Sequence, residues 1–471
     1  MAVIIRNGVV ATENSISRCD IKIENGIFSD IAERIIPQST DEIVDADGVY
    51  VLPGGIDAHV HLEQSAMGAV NSDDWYTGTK AAAMGGTTTV ISFIIPETDD
   101  VKQNFAKWYE NASSKSAIDF GAHYNLPGSH DRFIDQLHIL TELGIPSVQF
   151  FLAGNGTKNI SDYDLLCFFD RFRDSNLMAM VNAENADFFK RNLLKANQQG
   201  KSEIETIKYI HSRWARIEAV SRLCKIAAEC QYDSLYFAHL NLSEEIEILR
   251  WHKNNGLKAV GETCLQYLCF TENVYKDSHP EKWICTPAFG ENRDIDALWH
   301  ALMDDTVDFL SSDHCPYLLN GAEEFLYEGT KYHLPGKEVG HGDYRKTPLG
   351  LPGVGDRIPV FWTEGVVKHH LPIRKFVDLV AANPAKVFGL YPQKGCIRKG
   401  SDADLVLFSP KLQVSYGRDC SYHRSDYNVY EGFELTGFPV SVMQRGSWLV
   451  KNREWTGKKG AGVFIPRENP L

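Results

Sequence analysis

Several features are scarce or missing in this 471-residue chain, and each absence removes a class of function. Basic residues are outnumbered: 48 Lys and Arg against 62 Asp and Glu give a net charge of −14. A nucleic-acid binder needs a basic face, so that class is excluded. No uninterrupted apolar run approaches the ~18 residues that span a bilayer, and the opening stretch MAVIIRNGVVATENSISRC has no basic segment followed by a long apolar core. Ten cysteines are present, but no two form a CxxC pair. Scattered cysteines in a long chain predict reduced thiols and a cytoplasmic location. No Gly-rich phosphate fingerprint follows any apolar strand, which speaks against a dinucleotide-binding sheet. The remaining composition, 43% hydrophobic and 23% charged, is that of a globular protein. The 16 histidines are candidate metal ligands.

Residues 2–50 read as short strands joined by turns, with Asn7-Gly8 and Asn25-Gly26 as hairpin signals between apolar stretches. A similar pattern returns at 404–408, 440–442 and 448–450. The two ends are therefore expected to meet in one β-domain, 1–53 plus 391–455. Between them, eight apolar segments alternate with helical ones, at 50–60, 87–94, 119–126, 147–153, 178–184, 234–240, 257–263 and 308–313. Eight β-then-α units predict a (β/α)8 TIM barrel over 54–390, with an open doubly wound sheet as the alternative. Residues 456–471 form a C-terminal tail that is expected in an oligomer interface.

Barrel chemistry sits at the C-terminal ends of the strands. The first strand ends in Asp57-Ala58-His59-Val60-His61, and residues two apart on a strand share a face. Two imidazoles converging there suit a divalent metal, although a lone His-x-His also occurs as a pair of ordinary histidines. The sixth strand ends in His239 and the eighth in Asp313-His314. Asp313 can ligate a metal and accept a proton from activated water, or simply cap the next helix. His239 is either a ligand or a buried, hydrogen-bonded histidine. His314, His341, His369 and His370 read as loop or surface residues, and nothing in the sequence activates Cys315. The segments near 65–70 and 154–160 are expected at the entrance.

The stretches LPGGIDAHVHLE and DDWYTGTKAAAMGGTTTVISF, the segments FAHLNLS, GETCLQYL and SSDHCPY, and the run NPAKVFGLYPQKGCIRKGSDADLVLF together resemble the amidohydrolase superfamily, in its dihydropyrimidinase/hydantoinase branch. The likeness covers nearly the whole chain. It implies a barrel with a small β-sandwich built from both termini, a homotetramer or homodimer, and hydrolytic opening of cyclic amides, ureides or imides. It also implies two divalent metals, usually Zn2+, held by a His-x-His pair, a carboxylated lysine, two further histidines and an aspartate. His59, His61, His239 and Asp313 match that pattern. Two positions depart from it: the family's Ser-Phe-Lys reads Ser147-Val148-Gln149, and its His-Ala-Glu-Asn reads Asn182-Ala183-Glu184-Asn185.

A glutamine amide cannot be carboxylated, and without an anionic bridge two dications repel at close range. One metal is therefore expected, with a second site empty or weak. Gln149 and Asn182 become candidate substrate contacts, with Asp313 and His239 as the catalytic pair. Three further positions differ from the family's substrate residues. Gly154 stands where a tyrosine is usual, Thr286 lies in the altered segment Thr286-Pro287-Ala288, and Leu349 replaces an amide. Such changes shift specificity. Two other readings remain. One is an inactive relative like the collapsin-response mediator scaffolds, which also resemble this branch and have lost metal ligands. The other is a diverged hydrolase acting on a different substrate.

Overall fold

The computed structural model describes residues 2–126, 131–153, 159–321 and 323–468. Its centre is an eight-stranded parallel sheet in sequential order, formed by Gly55–Val60, Thr87–Ile94, Asp119–Asn125, Ser147–Phe151, Met178–Asn182, Leu235–Phe237, Ala259–Cys264 and Phe309–Ser311. The sheet closes on itself: His61 N donates to His314 O at 2.7 Å, and a parallel bridge joins Val60 to His314. Each of the eight expected segments contributes a strand to this barrel, but the first, 50–60, is split: Gly55–Val60 is in the barrel and Tyr50–Pro53 belongs to another sheet. The strands are buried on both faces, as a barrel wrapped by helices requires and an open sheet with free edges does not. Thr87–Ile94, for example, is buried at all eight positions.

Helices cover the outside, where the sequence carries amphipathic segments. Ala186–Gln198, for instance, is capped by Asn185, whose side chain accepts from the N–H groups of Asp187 and Phe188. Between the fifth and sixth strands, Glu205–Ile210 and Arg213–Glu229 are separate helices, because Ser212 caps a fresh start. No helix among the described residues is long and apolar enough to cross a membrane.

Two further sheets are built from the chain ends. One has four strands in the order Ile27–Ala32, Asp20–Glu24, Val3–Arg6, Glu42–Asp45. The other has seven, in which Tyr50–Pro53 pairs with Leu405–Tyr416, itself paired with Phe433–Gln444. Ile5, Ile21, Phe28, Val51, Leu405 and Met443 fill the core they share. The two Asn-Gly signals resolve differently. Asn25-Gly26, both at positive φ, turns a true hairpin with Glu24 opposite Ile27. Asn7-Gly8 does not: Val3–Arg6 and Val9–Ala11 lie in different sheets, so this turn carries the chain across the sandwich. Gly8 is required there because a Cβ would lie 2.6 Å from Val51 Cγ2.

The tail packs on its own barrel. Ile465 N donates to Phe120 O at 2.8 Å, and Arg467, 1% exposed, donates to Ser147 Oγ at 2.8 Å and to Ala122 O.

Candidate active site

The first strand places His59 and His61 on the same inward face. Asp57, two residues earlier, locks that strand in place. Its Oδ1 accepts from Ser312 N at 3.1 Å and from His59 N at 3.3 Å, while Arg357 lies 3.4 Å from Oδ2. The same arginine reaches Leu310 O and Thr87 Oγ1, so strands one, two and eight are tied together beneath the mouth. Asp313 and His239 both lie just past their strands at positive φ, 49° and 39°. For residues other than glycine this conformation is strained and commonly marks functional positions.

Asp313 Oδ1 lies 3.2 Å from His59 Nε2 and 3.3 Å from His61 Nε2. One ligand atom from each of the three residues falls within 4.8 Å of the others. The opposite ring nitrogens are engaged elsewhere: His59 Nδ1 faces Glu262 at 3.0 and 3.2 Å, and His61 Nδ1 faces Gln64 Oε1 at 3.0 Å. Two imidazoles and a carboxylate with their outer nitrogens already bonded form a donor set suited to a divalent ion with a position left open. His239 stands beside this group rather than in it. Its ring centroid is 5.7 Å from that of His59, and its Nε2 is 3.3 Å from Asn182 Nδ2.

The electrostatics follow from burial and charge. Burial alone would lower the pKa of His59, but Glu262 and Asp313 outweigh it and lift the value to about 9. An entering dication displaces that proton. Burial opposes the charged form of Asp313, yet His59 and His61 hold its carboxyl below the usual range. Burial pushes His239 down to about 4, only partly offset by Asp313, so this imidazole is neutral at pH 7.

His59, His61, His239 and Asp313 line one cavity of about 560 Å³. Gln149, Asn182, Thr286 and Leu349 line it too, so every described residue singled out from the sequence converges there. Gly154 lies outside the described residues. Where the resembled pattern has its bridging lysine and a histidine, this cavity holds the neutral amides of Gln149 and Asn182, and Gln149 Oε1 is buried with no hydrogen-bond partner. Cys315 also lines the cavity, but burial pushes its thiol up to about 12, so it is no nucleophile. His314 is buried, accepting from Gly353 N and Val354 N and facing Asp73 at 3.3 Å; its role is structural. A second acidic cluster, Asp119, Asp402 and Asp404, is filled by Lys394 Nζ at 2.7, 2.9 and 2.8 Å.

Sequence reasoning did not single out Glu262, Gln64 or Arg357. Glu262 sits inside a quoted motif, and a charged residue in an otherwise apolar central strand was the available signal.

The sequence profile of the amidohydrolase family matches residues 50–449. The chain belongs to the amidohydrolase family. A D-hydantoinase of Ralstonia pickettii is 35% identical, with 99% of each chain covered. A D-hydantoinase of Geobacillus stearothermophilus is 33% identical over 99% of this chain and 97% of its own. Among solved structures, a dihydropyrimidinase from Brevibacillus agri superimposes with a TM-score of 0.94 at 32% identity, covering 100% of both chains. The barrel with its β-sandwich is the architecture these neighbours share.

Proposed function

We propose that this family member hydrolyses the ring C–N bond of a cyclic amide, ureide or imide, using a single divalent ion, Zn2+ in the first instance, held by His59, His61 and Asp313. The observation that carries the reading is the convergence of the three ligand atoms within 4.8 Å at the mouth of the barrel. The hydantoinase and dihydropyrimidinase names of its relatives supply the substrate class. A bound divalent ion supplies Lewis-acid activation of water and of the scissile carbonyl.

The chain's own residues do the rest. Asp313 Oδ1 faces the two imidazoles, which leaves Oδ2 to take the proton from the attacking water and return it to the departing ring nitrogen. His239, neutral and held by Asn182, polarises the substrate carbonyl. Gln149 and Asn182 offer amide hydrogen bonds to the ring, while Thr286 and Leu349 form further wall of the same cavity, Leu349 giving an apolar contact. The ten unpaired cysteines support a reducing, cytoplasmic setting. Self-association as a homodimer or homotetramer belongs to the same reading. The charge of −14 supports neither nucleic acid nor an anionic membrane as a partner.

The test is turnover of a panel of cyclic amides, ureides and imides with and without added Zn2+, Mn2+ or Co2+, alongside elemental analysis. Expected are about one ion per chain and a loss of about 10³-fold in kcat/KM on Asp313→Ala. A second reading, an inactive scaffold, is favoured by one observation: two positions that carry metal ligands in the resembled pattern hold Gln149 and Asn182. No turnover and no bound ion would select it.

A further inference from the structure

We propose that Gln149 determines specificity: its side-chain amide reads the unbroken amide edge of the substrate ring and requires an unsubstituted ring N–H there. The inference rests on the ring-opening reading above. It assigns a contact and a substrate requirement to a position where the resembled pattern carries a carboxylated lysine.

The fourth barrel strand, Ser147–Phe151, carries Ser147, Gln149 and Phe151 on one face, because side chains two apart share a face. Ser147 is fully engaged: its hydroxyl lies 2.7 Å from His123 Nδ1 and 2.8 Å from Arg467 Nη2. Gln149, one step nearer the mouth, lines the active-site cavity and is 2% exposed. Its Oε1 has no hydrogen-bond partner. The neighbouring amides supply none. Asn182 Nδ2 is taken up with His239 Nε2 at 3.3 Å, and Asn125, opposite Gln149 in the strand register, lines the same wall.

Among the described residues, the wall contributed by the third, fourth and fifth strands is uncharged: Asn125, Gln149, Phe151 and Asn182. The carboxylates of the lining lie elsewhere. Asp313 faces His59 and His61. Glu63 and Glu97, just past the first and second strands, are paired with Lys115 at 2.7 Å and Lys107 at 2.5 Å. A buried neutral acceptor among neutral amides suits a neutral N–H donor better than an ion.

Ring geometry supplies that donor. A small ring holds its amide cis, so N–H and C=O stand side by side on one edge. A primary amide presents an acceptor and a donor side by side in the same way. The two pair through two hydrogen bonds: Gln149 Oε1 accepts from the ring N–H, and Nε2 donates to the ring carbonyl. In an imide or ureide the nitrogen released by hydrolysis lies between two carbonyls. Breaking its bond to one leaves its amide to the other intact, and that unbroken amide is the edge Gln149 reads. A simple lactam has no second carbonyl, and an open-chain amide is trans.

The experiment measures kcat/KM of the Zn2+-supplemented protein, wild type and Gln149→Met. The substrates are glutarimide, hydantoin and dihydrouracil, each beside its methyl analogue at the nitrogen between the two carbonyls. Wild type is expected to prefer the N–H rings by about 100-fold. In Gln149→Met the preference should fall to about threefold or less, because the N–H rings lose their partner while the methylated rings lose nothing. A merely structural role would lower both rates and keep the ratio. A wild-type preference below threefold overturns the proposal, and so does a Gln149→Met preference within threefold of the wild-type value. Gln149→Leu, read by the same criteria, decides should the methionine variant not fold. A wild type that opens none of these rings sinks the ring-opening reading, and the contact is then judged by calorimetric binding of the same pairs. Kd values within threefold of each other overturn it, whereas a preference for N–H rings that Gln149→Met removes upholds it.

Discussion

The cavity floor has two halves, and they differ in how far the protein satisfies its own polar groups. On one side His59, His61 and Asp313 face one another, and the outer nitrogens of both imidazoles are bonded to Glu262 and Gln64. On the other side Gln149 Oε1 and His239 Nδ1 are buried without a hydrogen-bond partner. A buried polar atom without a partner costs about 1–3 kcal/mol. The first half is therefore organised before anything binds, whereas the second is completed only by what enters. The contrast supports the proposed ion binding in the first and the proposed ring recognition in the second.

The largest expected effect comes from removing the organised half. His59→Ala should abolish ion binding and lower kcat/KM by about 10³-fold or more, read by elemental analysis and initial rates. Retained ion and activity would mean that the two halves are not distinct. Next is the double substitution Gln149→Lys with Asn182→His, which rebuilds the pattern resembled in the sequence. Ion content should rise above one per chain while native turnover falls by about 100-fold, because the ring contacts are lost. A rise in both would show instead that Gln149 and Asn182 are eroded ligands. A smaller effect is expected from Gln149→Met. Removing the orphaned amide should leave the unfolding temperature unchanged or raise it by about 1–2 °C, while KM rises. A clear drop in stability would mean that the amide is already satisfied. The smallest effect is expected from Cys315→Ala, which should change kcat/KM by less than about threefold, since its thiol stays protonated.

Much of the fold was legible because its signals are local. Thr87–Ile94 is an eight-residue run rich in β-branched residues and bounded by Gly86, a composition that favours a strand. Asn25-Gly26 was legible for the same reason: two residues at positive φ make a hairpin wherever they fall. Asn7-Gly8 carries the same dipeptide and misled, because the strands on either side of it find their partners elsewhere, Val3–Arg6 beside Glu42–Asp45 and Val9–Ala11 beside Tyr50–Pro53. Pairing over such distances is decided by the shared core and not by the turn.

The site divides in the same way. Residue types at strand ends were enough to single out His59, His61 and Asp313, since side chains two apart on a strand must share a face and strand ends in a closed barrel share a mouth. Their neighbours were not legible. Glu262 is 203 residues from the histidine it bonds, Arg357 is 300 residues from Asp57, and Arg467 reaches Ser147 from the far end of the chain. The sequence by itself determined which donors are available and which are missing, because ligand chemistry resides in the side chain. Tertiary structure alone decided which nitrogen of each imidazole faces the mouth, where the buried charges balance and which amides are left unpaired. Those properties belong to contacts, and barrel closure makes the contacts.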